Sequence, residues 1–323
     1  MLIITGCTDD ASTTSEPEYS ASPSETMSSF SSSSSAASEI STPPSEEPST
    51  TSCNFDTENV RFGILYDISK NNVLWTKSAD SKIPPASLTK LLTAYTSLQY
   101  VPKDTVFTVG SEQELVNPES SLCLIREGHR LTLYDLICGM LIASGNDAAY
   151  TVAVNTARYV YDKTMTDDEA VKAFCDLMNR EAKKIGMRYS NFCNPDGWDD
   201  VNHYTTVNDL LKLSLCAYKN NDIRTIAGQS ERYVVFSSGQ NVTWENTNSL
   251  LHSSSEYYFP YATGLKTGTT DNAGNCLIAT AQKSGKDFIV IAMGCDTDAQ
   301  RYAFAIHMLN EAFKKEETAS LEE

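Results

Sequence analysis

Strand-forming runs stand at the two ends of the folded part of this chain, and helix-forming runs fill most of what lies between. At one end, Val60-Arg61-Phe62-Gly63-Ile64-Leu65-Tyr66 and Val73-Leu74-Trp75-Thr76 flank Lys70-Asn71-Asn72, which reads as a hairpin turn. At the other end, Gly264 to Thr269, Cys276 to Ala281 and Phe288 to Met293 run as strands, the last two joined at Ser284-Gly285. A further pair, Tyr233 to Phe236 and Val242 to Trp244, turns around Ser238-Gly239. This distribution predicts an α/β (α+β) chain, with one sheet built from both ends and a helical insert.

The helices announce themselves by caps and apolar spacing. Pro84-Pro85 halts regular structure, and a helix from about Ser87 to Tyr100 follows, with Leu88, Leu91, Leu92 and Tyr95 on one face. Thr132-Leu133-Tyr134-Asp135 resembles a capping box and opens an apolar helix to about Ala143. After the break at Ser144-Gly145-Asn146 another helix begins near Asp147. Thr166-Asp167-Asp168-Glu169 and Thr206-Val207-Asn208-Asp209 cap two more, the first ending at Gly186. A last helix is expected from about Asp298 to Lys314.

Composition divides the chain before any of this begins. Thr8 to Ser52 is mostly Ser, Thr, Pro, Ala and Glu, without a Lys or Arg, and cannot bury enough apolar surface to offset its ordering entropy. Residues 8–53 are therefore expected to be a disordered tether, and 54–315 the folded domain, with 316–323 an acidic tail. The formal charge is −17, of which the tether's eight carboxylates account for −8 and leave −9 elsewhere. No basic face suggests a nucleic-acid partner. Just ahead of the tether, Ile4-Thr5-Gly6-Cys7 resembles a bacterial lipobox, so residues 1–7 read as the remnant of a lipoprotein signal and Cys7 as its lipidation site. No later run is long and apolar enough to span a bilayer. Eight further cysteines permit disulfides, but several sit in apolar patterns and read as buried free thiols. With four His and no C-x-x-C, no metal site is expected.

Three short motifs carry candidate chemistry. In Ser87-Leu88-Thr89-Lys90, residues i and i+3 of a helix share a face, so Lys90 can reach the Ser87 hydroxyl. That hydroxyl is a weak nucleophile without an adjacent base. Lys90 serves as one only if burial or a nearby cation lowers its ordinary pKa of about 10.4. Ser144-Gly145-Asn146 displays a hydroxyl and an amide in a break between helices, which suits proton relay and peptide binding. Lys266-Thr267-Gly268 offers a fixed charge, a hydroxyl and a bare backbone on a strand. Each alone also fits an ordinary capped helix, a turn or an edge strand.

Taken together and in order, these motifs resemble the S-x-x-K, S-x-N, K-T-G triplet of penicillin-binding proteins and serine β-lactamases. The wider text resembles the low-molecular-mass D-alanyl-D-alanine carboxypeptidases: Pro84 to Thr93 as the first box, Ser144 to Ala149 as the second, Asn194-Pro195-Asp196-Gly197 with His203-Tyr204-Thr205-Thr206 as the middle loop, and Gly264 to Gly268 with Ala273-Gly274 as the third. The likeness covers about Phe62 to Phe313. It implies a β-lactamase/transpeptidase-like fold, with an antiparallel sheet, flanking helices and a helical subdomain. It also implies a serine carboxypeptidase that removes the terminal D-Ala of peptidoglycan stem peptides, is inhibited by β-lactams and needs no cofactor.

The resemblance assigns roles. Ser87 would be acylated, Lys90 would take its proton, and Ser144 would pass a proton to the departing D-Ala. Asn146 would hold the peptide, and Lys266 and Thr267 would bind the terminal carboxylate beside Gly268. The N–H groups of Ser87 and Thr269 would form the oxyanion hole. Arg301 falls where relatives place an Arg that assists carboxylate binding; a surface Arg is the other reading. His203 and the Trp198 and Trp244 side chains read as structural, and Asp147 as support for a helix N-terminus. Many relatives carry a further anchoring helix, whose place a lipid on Cys7 would take, which implies an extracytoplasmic protein bound to the bacterial membrane. Class A β-lactamases place a Glu in E-x-x-L-N after the second motif; none of Glu169, Glu181, Glu231, Glu245 and Glu256 begins that pattern, and S-G-N replaces their S-D-N. A peptidoglycan endopeptidase and a non-catalytic penicillin-sensing lipoprotein remain the alternatives.

Overall fold

A computed structural model describes residues 57–322. Cys7, Cys53 and the expected tether lie outside them. Strands β1 (Phe62–Asp67) and β2 (Asn72–Lys77) form the first hairpin, and α1 (Thr89–Tyr100) follows a short 3-10 turn at Ala86–Leu88. Two three-residue strands, β3 (Val106–Thr108) and β4 (Arg130–Thr132), pair ahead of α2 (Leu133–Ile142). Then come α3 (Asn146–Val160), α4 (Asp167–Lys184), α5 (Val207–Lys219) and the short α6 (Asn221–Ala227). The chain closes with the hairpin β5 (Glu231–Val235) and β6 (Asn241–Glu245), the strands β7 (Ala262–Thr270), β8 (Gly274–Lys283) and β9 (Lys286–Cys295), and α7 (Asp298–Glu322).

The main sheet has the order β2-β1-β9-β8-β7 and is antiparallel throughout. Its centre joins the two ends of the chain, with Phe62 opposite Met293 and Ile64 opposite Ile291, as the distribution of strands predicts. Alternation along each strand divides the core in two. Ile64, Ile278, Ile289 and Ile291 face the helical side, where Leu91, Leu92, Leu136, Leu141 and Phe174 pack. Leu65, Leu277, Val290 and Ala292 face α7, whose Tyr302, Ala305, Met308, Leu309, Ala312 and Phe313 recur at helical spacing. Each fully buried Leu or Ile contributes about 1.5–3 kcal/mol.

The expected caps form, with differences. Thr166 and Glu169 make a full capping box on α4. Thr132 and Thr206 cap with the hydroxyl alone, accepting from the N–H of Asp135 and Asp209. Asp209 instead receives the N–H of Tyr189 and the hydroxyl of Ser190, fastening the loop after α4. The last helix does not stop near Lys314. It continues to Glu322, and Glu316, expected in an acidic tail, pairs with Lys70 and Lys286 at the end of the sheet. The seven described cysteines are free, five of them buried. Among the described residues no helix is long and apolar enough to cross a membrane.

Candidate active site

The site is built where the edge strand β7 passes the start of α1. Pro85 leads into Ala86, held at φ +50, a conformation costly for a residue with a Cβ. That kink opens the 3-10 turn, whose second residue is Ser87. Lys90 lies one turn on, and its Nζ donates to Ser87 Oγ at 2.8 Å. The side chain of Lys90 is fully buried. Burial pushes its pKa down to about 8, against the pull of the Asp196 and Asp147 carboxylates. Removing the water from an ammonium favours its neutral form, and a neutral amine beside a hydroxyl is a general base.

Ser144 sits between α2 and α3 at φ +58, and its Oγ accepts from Lys266 Nζ at 2.9 Å. Lys266 is buried and also donates to Thr267 O at 3.0 Å. Burial first, then Lys90 and Arg301, hold its ammonium well below the ordinary lysine range. Lys266 thus addresses Ser144 directly, in addition to any carboxylate it would meet. Asn146 opens α3, and its Nδ2 donates to Asp196 Oδ2 at 2.6 Å. Asp147 does more than support the helix start: Oδ1 accepts from the N–H of Ala148 and Cys123, and Oδ2 from that of Ile125, so it also braces the segment beside the cleft.

Gly268 has a role that the bare-backbone argument did not foresee. A Cβ there would stand 2.8 Å from Ser87 N and 3.0 Å from the Ala86 Cβ, so its missing side chain makes room for the protein's own backbone. This close approach sets the β7 backbone at Gly268, one residue before Thr269, against the Ser87 N–H. Thr267 Oγ1 lies 2.6 Å from Thr247 Oγ1. Arg301 is not a surface residue. It is 6% exposed, paired with Asp298, and its Nη1 donates to Cys276 O at 3.0 Å and to Gly268 O and Thr269 Oγ1 at 3.3 Å.

The loop after α4 supplies what the motif analysis missed. Asp196, buried, takes the Lys90 ammonium on its backbone oxygen at 2.8 Å and Asn146 on its carboxylate. Gly197 has φ +94, and a Cβ there would fall 1.8 Å from Ala86 O, so the loop lies directly on the nucleophile's turn. Asp199 receives Thr270 Oγ1 at 2.8 Å and Asn272 N at 3.2 Å, tying this loop to the β7–β8 turn. The signal available was Pro195-Asp196-Gly197, a turn tripeptide inside a family-like box. His203 is structural as read: Nδ1 accepts from Cys193 N, which leaves Nε2 to donate to Thr89 Oγ1 at 2.9 Å. Trp244 is buried, with Nε1 on Cys123 O, whereas Trp198 is 37% exposed on the site's loop and not packed as expected.

The family model for D-alanyl-D-alanine carboxypeptidases matches residues 50–297 of this chain. The chain belongs to the D-alanyl-D-alanine carboxypeptidase family. Family relatives include the D-alanyl-D-alanine carboxypeptidase DacF of Bacillus subtilis, 28% identical over 80% of this chain and 63% of its own length. Another is the D-alanyl-D-alanine carboxypeptidase of a Streptomyces species, 31% identical over 78% of this chain and 86% of that protein. The fold of the Streptomyces K15 DD-transpeptidase superposes with a TM-score of 0.72 at 28% identity, over 79% of this chain and 97% of that one. Family membership accounts for the antiparallel sheet with its helical insert.

Proposed function

We propose that this chain is a serine D-alanyl-D-alanine carboxypeptidase that removes the terminal D-Ala from peptidoglycan pentapeptides through an acyl-enzyme on Ser87. The observation that carries the reading is the buried Lys90 amine, 2.8 Å from Ser87 Oγ. In the first step Ser87 Oγ bonds to the penultimate D-Ala carbonyl carbon while Lys90 takes the hydroxyl proton. The developing oxyanion is held by the N–H groups of Ser87 and Thr269, which act only as charge appears. The peptide bond then breaks, and the departing amine receives a proton by way of Ser144, itself held by Lys266. Water hydrolyses the ester and frees the shortened peptide. Asn146 holds the stem peptide. On this reading Lys266, Thr267 and Arg301 bind the terminal carboxylate, which is supported by the Arg301 head group resting on Gly268 O, next to Thr267.

β-Lactams, which present an acyl group to the same serine, are the expected inhibitors. The reading places the protein outside the cytoplasm, on peptidoglycan, with residues 54–315 as the catalytic domain and a lipid on Cys7 as its membrane anchor through the 8–53 tether. Incubation with a pentapeptide muropeptide and with a cross-linked dimer tests the activity. Loss of one D-Ala from the first, with the dimer intact, is the expected result by mass spectrometry. Cleavage of the dimer alone would make the protein an endopeptidase, and no product from either would leave a penicillin-binding module. Detergent partitioning of the full-length protein and its Cys7→Ala variant tests the anchor, and equal partitioning into water would reject it.

A further inference from the structure

One buried acid at this site has no part in the steps above. Asp196 is 1% exposed. Its Oδ2 accepts from Asn146 Nδ2 at 2.6 Å, its Oδ1 from Trp198 N at 3.3 Å, and its backbone oxygen from Lys90 Nζ at 2.8 Å. Burial pushes the Asp196 carboxyl up, and the Lys90 ammonium and the surrounding backbone N–H groups pull it back toward the charged form. As a carboxylate it has no proton to give, so Asn146 turns its NH2 toward Asp196 and its Oδ1 away. The loop cannot retreat from this contact. Gly197 is seated on Ala86 O on one side, and Asp199 is bound to Thr270 and Asn272 on the other. Lys90 is faced by the Asp196 and Asp147 carboxylates, the Cys123 thiol, the Lys266 ammonium and the His203 ring. Of these groups Asp196 alone also bonds Asn146.

We infer that Asp196 is a positioning residue that couples substrate holding to base chemistry: its carboxylate orients the Asn146 amide, and its negative charge steadies the Lys90 ammonium. The inference rests on the acylation of Ser87 proposed above. Two effects of opposite sign follow. The Asp196 charge is the largest influence opposing burial at Lys90, so removing it lets Lys90 lose its proton more readily. The pH below which acylation fails then moves lower. At the same time Asn146 loses an ionic acceptor, and the peptide is held less well.

The test is the pH dependence of acylation in Asp196→Asn, which keeps the size of the side chain and removes its charge. With a fluorescent penicillin, the acid limb of the acylation rate should move to lower pH than in wild type. With a pentapeptide, kcat/KM on the plateau should fall roughly 10-fold or more, the cost of losing a charge-assisted hydrogen bond. A residue that only held the loop's shape would leave the limb in place. A limb that is unmoved, or moved to higher pH, would overturn the inference. Failure of the wild type to take up penicillin would sink the acylation reading instead, so the two failures are distinguishable. Should Asp196→Asn not fold, the wild type answers by NMR. The Asn146 side-chain amide signals should shift together with the titrating Asp196 carboxyl carbon, and signals indifferent to it would overturn the inference.

Discussion

A methyl group placed on Gly268 would stand 2.8 Å from the backbone nitrogen of Ser87. The third motif therefore touches the first through backbone, with no side chain between them. Gly268→Ala must push β7 off the nucleophile's turn or displace Ser87, an overpacking that costs about 1–3 kcal/mol. Since one side of this contact is the Ser87 N–H itself, acylation by penicillin should fall more than stability does. A variant that acylates at the wild-type rate would show that the close approach has no part in the oxyanion site.

Lys90→Ala should lose the base and keep most of the fold. General-base catalysis contributes roughly 100- to 10,000-fold, so the acylation rate should drop within that range. In the wild type, acylation should rise as pH increases through about 8, because the burial that depresses Lys90 makes it neutral above that value. Stopped-flow acylation across this range measures both. A wild-type profile flat through pH 8 would remove Lys90 as the proton acceptor.

His203 should make the protein acid-sensitive without shaping the reaction. Burial holds its imidazole down to about 4, against an ordinary value of 6.5. The unfolded chain therefore binds a proton that the folded one refuses, and stability is lost as pH falls from about 6.5 toward 4. The loss amounts to roughly 3 kcal/mol for this shift. Thermal melts in acid should show a shallower decline for His203→Gln than for wild type, while the penicillin pH profile near 8 stays unchanged. Parallel declines would mean that other groups carry the acid response.

The motifs that carry chemistry were legible because helix and strand periodicity put their members together. Ser87 and Lys90 share a helical face, and Lys266, Thr267 and Gly268 are consecutive on one strand. The sheet built from both ends followed from the placement of apolar alternation. Contacts between distant segments left no such trace. Asp196 meets Asn146 and Lys90, and Asp199 meets Thr270, only because the loop after α4 folds back over the cleft. Arg301 read equally well as a surface residue because its spacing does not reveal that its head group lies on Gly268 and Cys276. The short α6, β3 and β4 escaped because three to seven residues give too little periodicity to read.

Thr267→Val separates carboxylate recognition from support of the fold. The hydroxyl lies against Thr247, so the variant loses that bond as well, and Thr247→Val is the matching control. If Thr267 meets the substrate carboxylate, kcat/KM for a free-acid pentapeptide should fall roughly 10- to 150-fold more than for its C-terminal amide. Arg301→Ala should discriminate in the same direction. Equal losses on acid and amide would assign both residues to the architecture of β7.

Covalent capture shows whether Ser87 is the nucleophile. The wild type and Ser87→Ala are incubated with penicillin, and each intact protein is weighed by mass spectrometry, with peptide mapping of any adduct. One penicilloyl group is expected on the wild type, mapped to Ser87, and none on Ser87→Ala. A folded Ser87→Ala variant that still carries the adduct, or a wild type that carries it on another residue, would contradict that role.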